Sequence, residues 1–248
     1  MLGVFAAGVG AGAMNAVVGS GTLVTFPVLL ATGLSPVTAT VSNALGLIPG
    51  SVSGAIGYRR ELAGQGRRVR KLGVGAALGG LCGATLLLAL PAEAFETIVP
   101  TLVGLALLLV AFQPLIGKKV RSRRAKGHPS RRDGGWPLSA GLTLASVYGG
   151  YFAAAQGIIY ISLMGLLIDE PLQRLNAVKN VLAAIVNTVA AAFFVFVADF
   201  DWTAVALIAV GSALGGQLGA RTGRRFSPAV LRALIVTIGT LALVQLLR

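Results

Sequence analysis

Carboxylates, histidine and cysteine are what this chain has least of. Eight Asp and Glu stand against 21 Lys and Arg in 248 residues, with one His and one Cys. All eight acids, Glu61, Glu93, Glu96, Asp133, Asp169, Glu170, Asp199 and Asp201, fall between apolar runs or at their ends. No carboxylate is therefore available inside a run as a proton relay or cation ligand, which argues against a metal or cation pump. His128 lies in a basic stretch, so no Ser-His-Asp set and no Cys-His metal spacing can be assembled around it, and no nucleotide-binding glycine fingerprint follows a strand pattern. We expect no enzyme, no cofactor and no metal. Cys82 sits inside an apolar run without a disulfide partner and is expected to be a small buried side chain.

What is present is apolar. Hydrophobic residues make up 55% of the chain and the mean hydropathy is +0.83, far above a soluble domain with a polar surface. On a soluble chain the net charge of +13 would point to nucleic acid; here the basic residues fall between apolar runs, so the expected partner is the lipid bilayer. Met1 leads into Leu-Gly-Val-Phe without a charged leader, and no cleaved signal peptide is expected.

The apolar runs cover residues 2–33, 36–58, 72–90, 98–117, 138–168, 172–198, 202–220 and 229–247. Six have ordinary spanning length. The runs 2–33 and 138–168 would measure roughly 46 to 48 Å as single helices, against a hydrocarbon core of about 30 Å. Each carries a glycine-rich or polar interruption, Gly19-Ser20-Gly21 in the first and Ala155-Gln156-Gly157 in the second. Both are therefore read as broken segments, interrupted at 19–22 and 155–158, with the two breaks meeting near the membrane midplane.

Loop charge sets the orientation. Arg59, Arg60, Arg67, Arg68, Arg70 and Lys71 mark one cytoplasmic loop, eight basic residues between Lys118 and Arg132 mark a second, and Arg221, Arg224 and Arg225 mark a third. The turns around residues 91–96 and 199–202 carry acids without Lys or Arg and are placed outside. The halves also match internally: residues 79–84 (GGLCGA) align with 215–220 (GGQLGA) at an offset of 136, as do Ser20-Gly21 with Gln156-Gly157, while Asn43-Ala44-Leu45 aligns with Asn180-Val181-Leu182 at 137. Opposite loop charge at matching helices makes the repeats inverted. The expected fold is an all-α polytopic membrane protein of two inverted-topology repeats, each with one broken or re-entrant segment plus three transmembrane helices. Residues 1–117 form the first repeat, 118–136 a basic cytoplasmic linker and 137–248 the second. Whether each broken segment is a re-entrant hairpin or two short crossings is left open.

The Gly-Ser-Gly break followed by Pro27-Val28-Leu29-Leu30, the stretch 35–40 (SPVTAT), the stretch 54–60 (GAIGYRR), and 215–221 (GGQLGAR) ahead of Arg224-Arg225-Phe226-Ser227 together resemble the TauE/SafE family, also called the sulfite exporter family. The resemblance covers essentially the whole chain. It implies a multi-pass protein of the bacterial inner membrane that transports a small sulfur-containing anion such as sulfite or an organosulfonate. Which anion, in which direction and with which coupling ion the resemblance does not choose, and it leaves the oligomeric state open, homo-oligomer included.

A small oxyanion needs backbone N–H donors, hydroxyl or amide side chains and positive potential in a site shielded from water. Helix N-termini at the two breaks supply the first and the last. The substrate-binding candidates are Asn15, Ser20, Gly21 and Thr22 around the first break, Gln156 and Gly157 at the second, and Thr40, Ser42, Asn43, Asn176, Lys179 and Asn180 in the polar entries of the following helices. Lys179 lies eight residues beyond Pro171, roughly 12 Å into its helix, and is read as a substrate countercharge, the alternative being a side chain that snorkels to the cytoplasmic interface. Arg174 is read as an interfacial anchor. Glycines at four-residue spacing, Gly46, Gly50, Gly54 and Gly211, Gly215, Gly219, Gly223, form faces for close helix packing. A passive anion channel built on the same two breaks is the alternative to a transporter.

Overall fold

A computed structural model describes residues 1–125, 134–222, 233, 236–241 and 243–244. These residues are helical, without a strand. In chain order the helices are α1 (Leu2–Val17), α2 (Thr22–Ala31), α3 (Pro36–Gly46), α4 (Ile48–Gly57), α5 (Gly66–Ala89), α6 (Ala92–Ala125), α7 (Gly135–Tyr151), α8 (Gln156–Leu167), α9 (Leu172–Val197) and α10 (Trp202–Thr222). His128, most of the third basic cluster and most of the run 229–247 lie outside the described residues.

Four of these helices, α5, α6, α9 and α10, are long and apolar enough to cross a bilayer. Both long runs are broken, the first between Val17 and Thr22 and the second between Tyr151 and Gln156. The second break falls a few residues ahead of the expected 155–158, because Gln156 and Gly157 already form the first turn of α8. The run 36–58, expected as one span, is two helices joined at Leu47, since Pro49 has no N–H to continue the ladder and the helix kinks there. Ser35 caps α3 by accepting from the Thr38 N–H at 3.2 Å, and Pro36 starts it with a preset φ. The basic stretch after residue 117 is not all linker: α6 runs through it to Ala125.

The element order repeats. The offset that aligns the two halves in sequence carries Pro36, the start of α3, onto Leu172, the start of α9, and Gly66, the start of α5, onto Trp202, the start of α10. Glycine faces then lock helices together across the two halves. In α10, a Cβ on Gly215 or Gly219 would run into the backbone of α1 at Val9 and Ala13; in α5, a Cβ on Gly79 or Gly83 would run into α7 at Thr143 and Val147. Even the individual contacts recur, because Gly80 faces Val186 of α9 while Gly216, its equivalent in the second half, faces Gly50 of α4. Only small residues permit backbones this close, and with little hydrophobic drive between helices in lipid, such packing is what holds a membrane bundle. Cys82, expected inside, is exposed on the outer side of α5.

At the end of the molecule with the Arg59–Lys71 cluster, Glu170 holds two arginines. Glu170 reaches Arg68 Nη1 at 3.1 Å and Arg174 Nε at 2.8 Å, while Gln65 Nε2 donates to the Arg174 carbonyl at 3.1 Å and Arg174 Nη2 to Ala63 O at 3.2 Å. Arg174 is thus a strut between the α4–α5 and α8–α9 connections.

Candidate functional site

The two breaks touch. The Gly157 N–H at the start of α8 donates to the carbonyl of Gly19 at 3.1 Å, and a Cβ on either glycine would overlap the other's Cα. Gly19 has φ +86°, a left-handed conformation that glycine adopts without the Cβ clash. At the equivalent position of the second half, Ala155 has φ +57°, and Ala153 just before it has φ +62°. The backbone solves the two turns similarly, and the second one carries alanine strain of about 1 kcal/mol or more per residue.

Lys179 is the deepest cation among the described residues, with no exposed surface. Its stem passes Gly157, where a Cβ would come within 2.9 Å of Cδ, and its Nζ donates to Asn15 O at 2.5 Å and Ala16 O at 3.3 Å. Asn176 Nδ2 donates to the same Ala16 carbonyl at 2.8 Å, and Asn180 Nδ2 at 3.3 Å. A helix ends with four carbonyls that lack intrahelical partners and with a partial negative charge of about half an electron. Here α1 ends inside the protein, and α9 supplies one ammonium and two amides to cover that end. Snorkelling is excluded by this geometry. The partner of Lys179 escaped the sequence reading because a helix terminus is made of backbone and has no residue type to search for.

The opposite side of the first break is the N-terminus of α2, and it is bare. The backbone N–H groups of Ser20, Gly21 and Thr22 make no hydrogen bond among the described residues. Ser20 is buried and its Oγ is also without a partner, as is Asn176 Oδ1. Lys179 uses two of the three N–H donors that an ammonium carries. Buried polar atoms are ordinarily paired, and here several unpaired ones gather at one helix break.

The remaining candidates divide. Asn43 holds α2 in place, accepting from Thr25 Oγ1 at 2.5 Å and donating to Thr22 Oγ1 at 3.2 Å. Asn15 Nδ2 donates to Ser51 Oγ of α4 at 3.2 Å. Thr40 bonds back to Pro36 O within its own helix, and Ser42 Oγ accepts from the Asp201 N–H beyond α9; neither joins the cluster. Gln156 turns away from the first break. Its Nε2 donates to Tyr160 OH at 2.7 Å, Tyr160 OH lies 2.6 Å from Ser146 Oγ, and Ser146 Oγ donates to Leu142 O at 2.6 Å. Tyr160 was missed, although its spacing of four from Gln156 puts both on one helical face. Phe152, in the second break, is wedged edge-on against Phe26 of α2 and Phe95 of α6, at centroid distances of 5.1 and 6.1 Å.

Long apolar helices, two interrupted helices in mutual contact and a buried cation at their junction define a multi-pass membrane transporter rather than an enzyme. The sequence model described as Sulfite exporter TauE/SafE matches residues 4–246, and the chain belongs to that family. It is 29% identical to the "Probable membrane transporter protein YfcA" of Escherichia coli strain K12 over 239 residues, covering 96% of this chain and 86% of the relative. It is 26% identical to a "Probable membrane transporter protein" of Haemophilus influenzae over 94% of this chain and 88% of that one. A third relative, "Probable membrane transporter protein ORF9" of Sinorhizobium sp, is 24% identical over 96% of this chain and 88% of its own length. No solved structure matches the chain.

Proposed function

We propose that the chain is a secondary transporter that carries a small sulfur-containing anion, sulfite or an organosulfonate, across the bacterial inner membrane by alternating access between two inverted halves. One observation carries the reading. A broken helix exposes two ends of opposite polarity, and here Lys179, Asn176 and Asn180 cover the negative end of α1 while the positive end of α2 stays bare. The quenched negative end and the bare positive end leave the break attractive to an anion. Candidate ligands for the oxyanion are the N–H groups of Ser20, Gly21 and Thr22, Ser20 Oγ and the remaining Lys179 N–H, with Gly157 keeping the second break close. Asn43 acts through Thr22 and Thr25, and Gln156 through the wall behind α8.

The direct contact of Gly19 with Gly157 holds the two breaks together in this conformation, which supports a carrier over a standing pore. In the orientation set by loop charge, the Arg59–Lys71 cluster and residues 118–132 face the cytoplasm and residues 91–96 face outside. Titration calorimetry of purified protein with sulfite, sulfate, thiosulfate and short sulfonates tests the substrate class, and counterflow in proteoliposomes tests carriage. Binding of a sulfur anion with counterflow supports the reading. Uptake that only equilibrates without counterflow would replace it with a channel, and no binding of any of the four would remove the anion assignment. Labelling of a cysteine placed at residue 93 from outside intact cells, with the exposed Cys82 replaced, checks the orientation; no labelling there overturns it.

A further inference from the structure

Away from the breaks, on the outer face of the bundle, α4 and α9 enclose an apolar groove of about 520 Å³. It lies where α4, the part of the run 36–58 beyond the kink at Leu47 and Pro49, meets α9, the uninterrupted counterpart of this stretch in the second half. Val52 and Ile56 form one wall, and Ala184, Ile185 and Val189 the other. From Val181 to Val189 the groove follows α9 for roughly 12 Å. Arg59 closes the end nearest the basic cluster. It is exposed, and its guanidinium makes one hydrogen bond among the described residues, Nη1 to Ile56 O at 3.4 Å, leaving the other donors of the fork free. The anion pathway has no use for this feature, which is the wrong shape and polarity for an oxyanion. An apolar slot in the hydrocarbon-facing surface with a cation at the headgroup level matches an amphiphile with a long tail and a negative head.

We infer that the α4–α9 groove is a binding site for an anionic phospholipid, one acyl chain lying along Ile56 and Ile185 and the phosphate held by Arg59. The groove joins α4 of the first half to α9 of the second, and α9 carries Lys179, so an occupant there bridges the two halves. Charge complementarity selects the head, while the apolar walls accept any tail.

Native mass spectrometry of the detergent-purified protein, titrated with phosphatidylglycerol or phosphatidylcholine, reads this directly. Wild type is expected to retain one phosphatidylglycerol with roughly fivefold preference over phosphatidylcholine, the worth of one well-placed arginine near a membrane surface. Arg59→Gln should bring the two lipids level, whereas Arg60→Gln, one residue on, should keep the preference. Ala184→Trp should fill the groove and lose the retained lipid of either kind, with helical content and monodispersity unchanged; Ala55→Phe, from the facing wall, is the second variant should that protein not fold. Equal effects of the two arginine substitutions, or wild-type retention with the groove filled, would overturn the site. Neither result bears on anion transport.

Discussion

The two helix breaks are built on one backbone plan and finished with different side chains. Gly19 and Ala155, equivalent positions of the two halves, both take left-handed conformations, and the first turn of α8 donates to the first break through the Gly157 N–H. Around the second, side chains brace part of the turn: Tyr148 OH donates to Ala154 O at 2.7 Å, and Gln156, Tyr160 and Ser146 form a chain that ends on Leu142 O, while the N–H groups of Ala154, Ala155 and Gln156 and the Tyr151 hydroxyl make no hydrogen bond among the described residues. At the first, only the α1 end is covered, and the α2 end keeps free amides and an orphaned Ser20 hydroxyl. A repeated fold thus supplies two equivalent turns with bare amides, and substitution adds a side-chain brace to one and a buried ammonium and an orphaned serine hydroxyl to the other. Asn43 and Asn180, aligned at an offset of 137, show the split most directly: the first ties α2 within its own half, the second crosses, beside Lys179, to cap α1 of the other.

The largest effect should come from pushing the breaks apart. Gly19→Val places a β-branched side chain in a left-handed residue and drives Cβ into Gly157, costing about 3 kcal/mol or more from strain and overpacking together. The expected readout is a large fall in the thermal unfolding midpoint in detergent and no sulfur-anion binding. A stable, binding-competent Gly19→Val protein would show that the contact between breaks is incidental. Next comes Lys179→Met, which keeps most of the volume but strips the charge and leaves the α1 carbonyls partly uncovered. We expect stability to fall by about 2 kcal/mol, the scale of a charged hydrogen bond, and anion affinity to fall with it. Chemical denaturation and calorimetry on the same preparation separate the two. Unchanged affinity alongside lowered stability would make Lys179 a helix cap and nothing more.

How much of this was legible beforehand follows from what each feature is made of. The first break could be read because Gly-Ser-Gly interrupts a run too long for the bilayer. The second was located from Gln156-Gly157, yet its turn is made by Ala153 and Ala155, and alanine is a residue that rarely adopts left-handed backbone. Pro49 announced the α3–α4 kink, but a proline in a membrane helix is common enough that the run reads as continuous. The depth of Lys179 along its helix was legible, but it left burial and snorkelling both open. Its partner was not legible, since bare carbonyls are created by where a helix stops. Cys82 was misplaced for a related reason: an apolar run in lipid has no polar face to tell inside from outside.

A smaller effect separates the two breaks on the braced side. Tyr160→Phe removes the hydroxyl that links Gln156 to Ser146, leaving the Gln156 amide without its acceptor in a buried setting. The cost should be about 1 kcal/mol in stability with anion affinity within a factor of two of wild type. An affinity loss larger than that would mean that the second break is a ligand site in its own right.

The smallest change in the molecule is the sharpest test of the first break. Ser20 Oγ has no protein partner to lose, so Ser20→Ala should leave the unfolding midpoint where it is, or raise it slightly by deleting a buried orphan. If the hydroxyl waits for an oxyanion, the same substitution should weaken binding about fivefold, the worth of one hydrogen bond of about 1 kcal/mol, while the free amides of Gly21 and Thr22 preserve the remainder. Stability and affinity should therefore move independently at Ser20, in contrast to Lys179, where they move together, and to Tyr160, where stability moves alone. Parallel melting and titration of Ser20→Ala decide it: affinity at the wild-type level would leave the orphaned hydroxyl without a ligand and take the first break out of the site.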